Sequence, residues 1–600
     1  MKGIAIGLSN NSKEILKRLK KTEFVKDIYI AGSSKEDGKE NELIQVQKPR
    51  EILLKKWPEI DLIIFIGSIA ASIRIINSFL TSKDQDPGVI VIDNKCSKIV
   101  PLIGLHQSNT QNIACQIANL LGGEIIETNN SNDQSFLNLD AFGNQWGWKR
   151  SGKINDWSKL VIKQAKNEEI FCKQLSGNSL WKTSESAEII NQIDKKETEK
   201  PDSTFHVSIF ENHGTTWHPP VLWIGIGCER NTSKELIANS LNNFLESRNL
   251  SKYSIAGLAT VDIKKDEKGI LELAKEKNLP IKFFSKEDLS TIIVPNPSNV
   301  VQKEIGTPSV AEASCLLAAG EESKLLEEKR IFKNQSGAVT IAVAESKNQY
   351  NPTHGEIHII GSGPGDISFL TNNARKALSR CTVWIGYKMY LDLIKSLKRS
   401  DQVLIESKLT EEKERCSKAI KLAEEGIKVA LISSGESGFY GMAGLLLELL
   451  QKIKKEYRPY FEVHPGISSV QLAAAISGAP LMNDFCSVSL SDKLTPWSLI
   501  EKRIEGALVG DFVIALFNPQ SIERNWQLKS VIDICLQSRH GDTPVLIARQ
   551  VGRENQTKKF FTLNTIPFKE IDMLSIIIIG NSQTTLVDEI FLTPRGYLQN

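Results

Sequence analysis

Short runs of apolar residues alternate with helix-length amphipathic segments along nearly the whole chain. Such runs occupy residues 62–67, 89–93, 221–227, 357–361, 429–433, 512–517, 545–548 and 576–580. Runs that are apolar at every position are typical of strands buried on both faces of a sheet between helices. The pattern therefore predicts an α/β protein. Because 600 residues are too many for one hydrophobic core, the chain is expected to be multidomain.

Two polar stretches divide this alternation. Residues 127–220 contain ETNNSNDQS and DKKETEKPDST, and residues 346–355 are similarly polar. We expect an irregular middle region at the first stretch and a linker at the second. The expected α/β domains are then residues 1–126, 221–345, 356–464 and 465–600.

Composition and charge narrow the possible functions. The net charge of +3 disfavours a general nucleic-acid binder, and the nine cysteines include no CxxC pair that would suggest a disulfide framework or zinc site. The apolar runs are far shorter than the roughly 18 residues that span a bilayer. His354 and His358 lie four residues apart, but His358 falls in a predicted strand, where this spacing does not converge. We expect a cytoplasmic protein with no metal site and no nucleic-acid or membrane partner.

Two glycine-rich loops follow predicted strands in the second half of the chain. The first reads GSGPGD (361–366) and the second SSGESGFYGMAG (433–444). Glycines let a backbone turn tightly and approach a ligand closely. A nicotinamide-binding loop fits poorly, because Asp366 stands where the G-x-G-x-x-G motif needs a glycine, and the strand 383–387 lacks an acidic residue. Two such loops at the carboxyl ends of strands predict one ligand-binding crevice.

A series of motifs between residues 361 and 597 indicates the family to which this crevice belongs. In chain order they are GSGPGD (361–366), IGYKMYLDLI (385–394), SSGESGFYGMAG (433–444), VHPGISSVQLAAAISGAPL (463–481), SLSDKLTPWSLIEKRI (489–504), IALFNPQSIERNWQL (514–528), VGRE (551–554), GNSQT (580–584) and TPRGY (593–597). Together they resemble the precorrin-3B C(17)-methyltransferase family of cobalamin biosynthesis. The resemblance implies two α/β domains with S-adenosylmethionine between them, a precorrin or cobalt-precorrin tetrapyrrole as substrate, and possible assembly as a homodimer.

The resemblance also implies roles for individual residues. Those expected at the cofactor or facing the active-site trough are Gly361, Gly363, Gly365, Gly435, Glu436, Gly438, Tyr440, Gly441, Ser468 and Ser469. Candidate cations for the substrate carboxylates are Lys388, Lys493, Arg524, Arg549 and Arg553. The resemblance further implies that the ring is contracted and a δ-lactone is formed. This step needs proton transfer, for which Asp366 and Asp492 are candidates. One departure is that Glu436-Ser437 replaces the Asp-Pro that the family usually has.

The first half of the chain resembles a second family of the same pathway, the cobalt-precorrin-5A hydrolases. The segments concerned are 62–93, 222–237, 255–289, 294–320 and 336–345. That family opens a δ-lactone and releases acetaldehyde, and the matched candidates for this chemistry are His106, Asp262, Lys264, Glu267 and Glu312. The stretch GLHQSNTQ (104–111) replaces a glycine-rich family motif. Two alternatives therefore stay open: a methyltransferase whose first half only binds tetrapyrrole, or a non-catalytic tetrapyrrole or cobalt carrier.

His106 allows a direct test of the hydrolase. It is the matched residue whose unperturbed pKa lies near neutral pH, so it is the candidate general base. General-base catalysis is worth about a hundred- to ten-thousand-fold, so His106→Ala should slow acetaldehyde release from the lactone substrate by at least about a hundredfold. Substrate binding should survive, because many Lys and Arg contacts share it. If the unchanged protein releases no acetaldehyde, the monofunctional alternative holds.

Overall fold

The computed structural model describes residues 2–22, 24–32, 44–81, 86–104, 110–126, 137–193, 201–211, 214–335, 337–521 and 524–597. The chain forms two compact units, Met1–Gln134 and Ser135–Asn600. Each unit is described by itself. Among the described residues, no helix combines the length and the apolar character needed to cross a membrane.

The first unit is a seven-stranded sheet in the order β3-β2-β1-β4-β5-β6-β7. Its strands are β1 (Gly3–Gly7), β2 (Asp27–Ile30), β3 (Ile44–Val46), β4 (Leu62–Ile66), β5 (Gly88–Ile92), β6 (Lys98–Ile103) and β7 (Glu124–Ile125), and its helices are α1 (Lys13–Lys20), α2 (Pro49–Lys56), α3 (Ile69–Ile76) and α4 (Thr110–Leu121). Every residue of β4 is buried, with Leu62 and Ile64 in one core and Ile63 and Phe65 in another. The apolar run 62–67 is thus a strand covered on both faces, as predicted.

Residues 137–220 contain a sheet, where the sequence pattern predicted an irregular region. Its elements are β8 (Lys149–Ser151), α5 (Ile154–Ala165), β9 (Ile170–Gln174), β10 (Ile190–Gln192), β11 (Thr204–Val207) and β12 (Thr216–His218), with strand order β10-β9-β11-β12-β8. The strands have only three to five residues, too few for a clear alternation. Buried indoles supply the core instead; they are Trp146, Trp148, Trp157, Trp181 and Trp217.

The third α/β region carries five strands in the order β15-β14-β13-β17-β16. Its elements are β13 (Leu222–Cys228), α6 (Lys234–Glu246), β14 (Ile255–Val261), α7 (Lys268–Lys277), β15 (Ile281–Phe284), α8 (Lys286–Ser290), α9 (Asn299–Ile305), α10 (Ala311–Ala319), β16 (Lys324–Asn334) and β17 (Gly337–Glu345). Helix α10 lies so close to β13 that a Cβ on Gly225 would stand 1.8 Å from the Ala311 carbonyl oxygen. This close approach holds the start of α10 at the sheet.

Two five-stranded sheets and one three-stranded sheet complete the chain. The first is parallel, with order β20-β19-β21-β18-β22, and the second has order β24-β25-β28-β26-β27. The elements of the first are β18 (Glu356–Gly361), α11 (Asn372–Arg380), β19 (Val383–Tyr387), α12 (Lys388–Ile394), β20 (Val403–Ser407), α13 (Glu412–Glu424), β21 (Lys428–Ser433), α14 (Met442–Gln451) and β22 (Tyr460–His464). The remaining elements are α15 (Ser469–Ser477), β23 (Gly478–Ala479), β24 (Phe485–Ser489), α16 (Trp497–Val509), β25 (Val513–Phe517), α17 (Gln527–Leu536), β26 (Pro544–Arg549), β27 (Thr557–Thr562), β28 (Ser575–Ile579), β29 (Thr585–Val587) and β30 (Ile590–Leu592).

The sheet β10-β9-β11-β12-β8, named the tryptophan-rich sheet after the indoles that surround it, shares a hydrophobic core with the parallel sheet. Gln349 joins the two. Gln349, in the expected linker, is 2% exposed. Its amide NH₂ donates to the carbonyls of Trp146 and Glu425 at 2.7 Å each, and its amide oxygen accepts from Trp148 Nε1 at 2.7 Å. The same core contains Ile357 and other strand residues of the parallel sheet. Residues 346–355 therefore cross a packed interface.

This bridge predicts a large stability effect. Gln349→Ala leaves a buried indole N–H and two buried carbonyls without partners, and each costs about 1–3 kcal/mol, so unfolding should become easier by about 3 kcal/mol or more. The control is Gln192→Ala, at an exposed position of β10 in the tryptophan-rich sheet. It should change the free energy of unfolding by less than about 0.5 kcal/mol. Denaturant unfolding of the full chain followed by tryptophan fluorescence measures both. Equal stability of the two variants would show that the bridge is unimportant.

Candidate active site

Three loops meet at the carboxyl edge of the parallel sheet. They follow β18, β21 and β22, which are adjacent in the order β21-β18-β22. The first two loops are cross-linked by a backbone pair: Gly363 N–H donates to the Gly435 carbonyl at 3.1 Å, and Gly435 N–H donates to the Gly363 carbonyl at 2.8 Å. The two glycine-rich motifs predicted to edge one crevice are therefore in direct contact.

The third loop is packed just as tightly against the other two. A Cβ on Gly466 would stand 2.1 Å from the Gly435 carbonyl oxygen and 2.6 Å from that of Gly361. A Cβ on Gly361 would stand 2.5 Å from the Gly466 nitrogen. No side chain fits at either position. Gly466 was not among the predicted site residues, although its place between β22 and Ser468 could have suggested it.

The second loop folds back on itself through Glu436. The Glu436 carboxylate accepts a hydrogen bond from Gly438 N–H at 2.6 Å. Gly435 has a φ of +64°, a conformation that glycine adopts without a steric penalty. Gly441 precedes α14 directly, and a Cβ there would stand 2.4 Å from the Ser437 carbonyl oxygen. The loop is thus held by backbone contacts and by one carboxylate.

Tyr440 connects this loop to the second sheet. Its hydroxyl donates to the Ser487 carbonyl on β24 at 3.0 Å, and its ring lies 5.3 Å from that of Phe517. Its φ of +57° is unusual for a tyrosine. At the third loop, Ser468 precedes α15, and its N–H donates to Gln471 Oε1 at 2.9 Å; Ser469 is the first residue of α15. The predicted cofactor residues therefore lie on or beside three loops at one edge of the parallel sheet.

A loop of the second sheet meets the first glycine loop, and a cleft opens beside their contact. Asp366 N–H donates to the Gly552 carbonyl at 2.6 Å, and a Cβ on Gly365 would stand 2.4 Å from that same oxygen. Arg553 Nε lies 3.4 Å from the Pro364 carbonyl oxygen. A cavity of about 260 Å³ opens beside these residues, and Leu393 and Ser396 also line it.

The two candidate proton acceptors are both hydrogen-bonded. The Asp366 carboxylate accepts from Ser368 N–H at 2.7 Å, and hydrogen bonds from the Ser368 side chain and backbone lower the pKa of Asp366. Asp492 Oδ2 accepts from Gln527 Nε2 at 3.0 Å. A carboxylate with a lowered pKa gains a proton less readily. Asp366 is therefore better suited to hold the loop than to accept a proton.

The five candidate cations have different surroundings. Arg553 contacts the first glycine loop, whereas Arg549 forms an ion pair with Asp572 at 2.7 Å. Lys388 pairs with Glu406 at 3.0 Å, and this hydrogen bond raises the pKa of Lys388. Lys493 is exposed. Arg524 is 7% exposed, and its Nε has no hydrogen-bond partner among the described residues. Arg524 is therefore the candidate guanidinium with a buried donor still to satisfy.

In the hydrolase-like region, three of the predicted residues follow β14 at the edge of the sheet. Lys264 and Glu267 are buried and form an ion pair at 3.2 Å. Glu267 Oε1 also accepts from Asn231 N–H at 2.8 Å, and Asp262 follows Val261, the last residue of β14. Cys228 ends β13, and burial raises the pKa of its thiol to about 11. The cluster offers a buried ammonium beside an anionic carboxylate, while the thiol stays protonated at neutral pH.

Glu312 belongs to a different network. It is 0% exposed; its Oε1 accepts from Asn296 Nδ2 at 3.0 Å and from Lys329 N–H at 3.1 Å, and its Oε2 has no partner among the described residues. None of the hydrogen bonds that Glu312 makes among the described residues involves Lys264 or Glu267. His106 lies outside the described residues, so its role stays a prediction.

Comparison with known proteins gives three family matches. The family "Cobalamin synthesis G N-terminal" matches residues 51–132, "Cobalamin synthesis G C-terminus" matches residues 222–344, and "Tetrapyrrole (Corrin/Porphyrin) Methylases" matches residues 356–567. Together they span most of the chain in the order that the sequence motifs predicted.

Curated relatives match the second half of the chain. "Cobalt-factor III methyltransferase" of Priestia megaterium is 44% identical, over 40% of this chain and 45% of its own length; the chain thus spans less than half of that relative. "Probable cobalt-factor III C(17)-methyltransferase" of Salmonella typhimurium is 44% identical, over 40% of this chain and 99% of its own. "Precorrin-3B C(17)-methyltransferase" of Sinorhizobium sp. is 33% identical, over 40% of this chain and 97% of its own.

The two sheets and the cleft between them, together with the family match, define a tetrapyrrole methylase. Within that class, the chain belongs to the C(17)-methyltransferase family of cobalamin biosynthesis, and it carries both cobalamin synthesis G regions before the methylase.

The cleft fits the S-adenosylmethionine that tetrapyrrole methylases use. Gly365 and Gly552 line it, and the positive φ of Gly435 in the adjoining loop presents backbone instead of a side chain. A β-branched residue at this φ is a genuine outlier, and such strain costs about 1–3 kcal/mol.

Gly435→Val should therefore lower the affinity for S-adenosylhomocysteine at least about tenfold. Gly506→Val is the matched control, because a Cβ at Gly506 in α16 meets nothing within 4 Å. Calorimetric titration measures the affinities, and thermal unfolding checks that both variants are folded. Unchanged affinity in a folded Gly435→Val protein would place the cofactor elsewhere.

Proposed function

We propose that the chain transfers a methyl group from S-adenosylmethionine to C17 of precorrin-3B or its cobalt form, with contraction of the ring. The convergence of the three glycine loops around Gly361, Gly435 and Gly466 carries this proposal. These loops lie beside the cavity between the two sheets. The relatives that match this half are named for C(17) methylation of cobalt-factor III and precorrin-3B.

The cofactor supplies an electrophilic methyl group on a sulfonium. The protein's contribution is to position the two reactants and to exclude water. The hydrogen-bonded pair of Gly363 and Gly435 fixes the floor of the cleft, and Tyr440 ties it to the second sheet. Arg553, which lines the cavity, and Arg524, whose Nε is unpaired, carry guanidinium groups that suit the acetate and propionate groups of the macrocycle. Binding these carboxylates orients the ring for in-line attack.

We propose further that the cobalamin synthesis G regions open the δ-lactone of cobalt-precorrin-5A. Both regions match this chain, and the pair of Lys264 and Glu267 lies with Asp262 at the carboxyl edge of a sheet. The Lys264 ammonium is suited to stabilise an oxyanion, and a carboxylate can orient water. One half would then make the lactone that the other opens after a methylation elsewhere.

A homodimer is the assembly that we propose for the methyltransferase half. Its β29–β30 hairpin leaves Val587 and Ile590 62% and 57% exposed, and Leu586 is 37% exposed. Adjacent exposed apolar side chains are typical of protein interfaces. Light scattering of the full chain distinguishes a dimer from a monomer.

The methyltransferase proposal predicts a change in substrate affinity. Charged hydrogen bonds are worth about 1.5–3 kcal/mol, so Arg553→Met should raise KM for the tetrapyrrole about ten- to a hundredfold. The KM for S-adenosylmethionine should change little. Arg503→Met, an exposed site on α16, is the control and should leave both constants unchanged. Mass spectrometry and NMR of the product test whether one methyl group is added at C17. Methylation at another carbon, or no methylation of either substrate form, contradicts the proposal.

A further inference from the structure

Two histidines and a glutamate lie together on one face of the parallel sheet. His358 Nδ1 is 2.9 Å from His464 Nε2, and Glu462 Oε2 is 3.9 Å from each of these nitrogens. Within the described residues, these three form a group whose ligand atoms all lie within 4.8 Å of one another. The catalytic cleft described above does not use any of them.

Strand pairing builds this cluster. In the parallel register of β18 and β22, His358 is opposite Glu462 and Ile360 is opposite His464. Residues two apart on a strand share a face, so Glu462 and His464 both point to the side of His358. His354 stays apart, since its Nδ1 lies 2.6 Å from the Gly426 carbonyl oxygen. The histidine that His358 meets is therefore His464, and not His354 four residues before it.

A second layer of charge fixes the orientation of His358. Its Nε2 lies 2.9 Å from Glu356 Oε2, and Glu356 is in turn paired with Arg380 at 2.6 Å and Lys428 at 3.0 Å. A carboxylate that accepts from one ring nitrogen leaves the other nitrogen as a lone pair. His358 Nδ1 is thereby aimed at His464 and Glu462. This carboxylate–histidine arrangement is typical of metal-ligating histidines.

The donor set suits a tetrahedral ion. Zinc bonds of about 2.0–2.1 Å to nitrogen and oxygen place the ligand atoms about 3.3 Å apart, which small side-chain movements reach from 2.9 and 3.9 Å. Both imidazoles are buried, whereas the Glu462 side chain is 49% exposed. The exposed carboxylate gives an ion a route from solvent and leaves a fourth position for water.

We propose that His358, His464 and Glu462 bind one divalent zinc-class transition-metal ion, with water as the fourth ligand. Two imidazoles and a carboxylate favour Zn²⁺ or Co²⁺ over Mg²⁺ or Ca²⁺. The ion joins the edge strand β22 to β18. Because His464 directly precedes the loop of Gly466 and Ser468, the site also anchors the third loop of the cleft.

Titration of the tag-free, chelator-treated full chain with Co²⁺ tests this site. We expect one equivalent to give the intense visible bands of tetrahedral Co²⁺ without the charge-transfer absorption of thiolate ligands, and Zn²⁺ to displace it. Glu462→Gln, at a half-exposed position that tolerates the change, should weaken binding at least about tenfold. The double variant His358→Gln with His464→Gln should lose this spectrum.

Two controls separate the site from other histidines and carboxylates. Glu456→Gln and His540→Gln alter exposed residues and should leave both the stoichiometry and the affinity unchanged. The proposal is overturned if no stoichiometric tetrahedral Co²⁺ spectrum appears, which would make the cluster a hydrogen-bonded histidine pair. It is equally overturned if Glu462→Gln binds Co²⁺ as tightly as the unchanged chain.

Discussion

Three loop backbones approach one another so closely at the carboxyl edge of the parallel sheet that no side chain fits between them. The contact of Gly466 with the carbonyl oxygens of Gly435 and Gly361 is closest. This approach fixes the spacing of β21, β18 and β22 where each strand ends. It also makes the cleft floor a surface of peptide groups, which can bind a ligand through fixed N–H and C=O groups without ordering long side chains. The position of Tyr440, and through it the second sheet, depends on this floor.

Within residues 135–600, the tryptophan-rich sheet and the third α/β region pack against the methylase. Gln349 hydrogen-bonds the tryptophan-rich sheet to the end of α13. On the other side, Tyr457 donates to the Ile281 carbonyl at 3.0 Å, and the Lys282 ammonium lies 4.3 Å from the Trp223 ring and 4.6 Å from that of Tyr350. Burial lowers the pKa of Lys282. Buried polar groups with such partners fix the relative placement of packed domains. From residue 135 onward, the fusion is one continuous packed structure.

The sequence predicted most of the α/β elements because buried parallel strands are apolar at every position. The run at 357–361 and its neighbour at 429–433 became β18 and β21 with little change in bounds. The sheet at 137–220 was missed, because its short strands alternate weakly and its core comes from scattered indoles. Contacts between residues far apart in the chain could not be predicted from local sequence patterns. His358, for example, contacts His464, which lies 106 positions further along the chain. Likewise, no local sequence pattern shows that Arg549 forms an ion pair with Asp572.

The departure at Glu436-Ser437 shows how the second loop keeps its shape without a proline. A proline restrains a loop by fixing one φ angle, whereas here the Glu436 side chain reaches the N–H of Gly438 at 2.6 Å. This hydrogen bond spans Ser437, the position of the family's proline. It therefore restrains the same turn through a side chain instead of through a fixed φ angle. It also uses the carboxylate within the loop, where it holds Gly438 in place. The charge of Glu436 therefore acts on the cleft mainly by ordering the loop, and the loop in turn supports the close contact between Gly435 and Gly466.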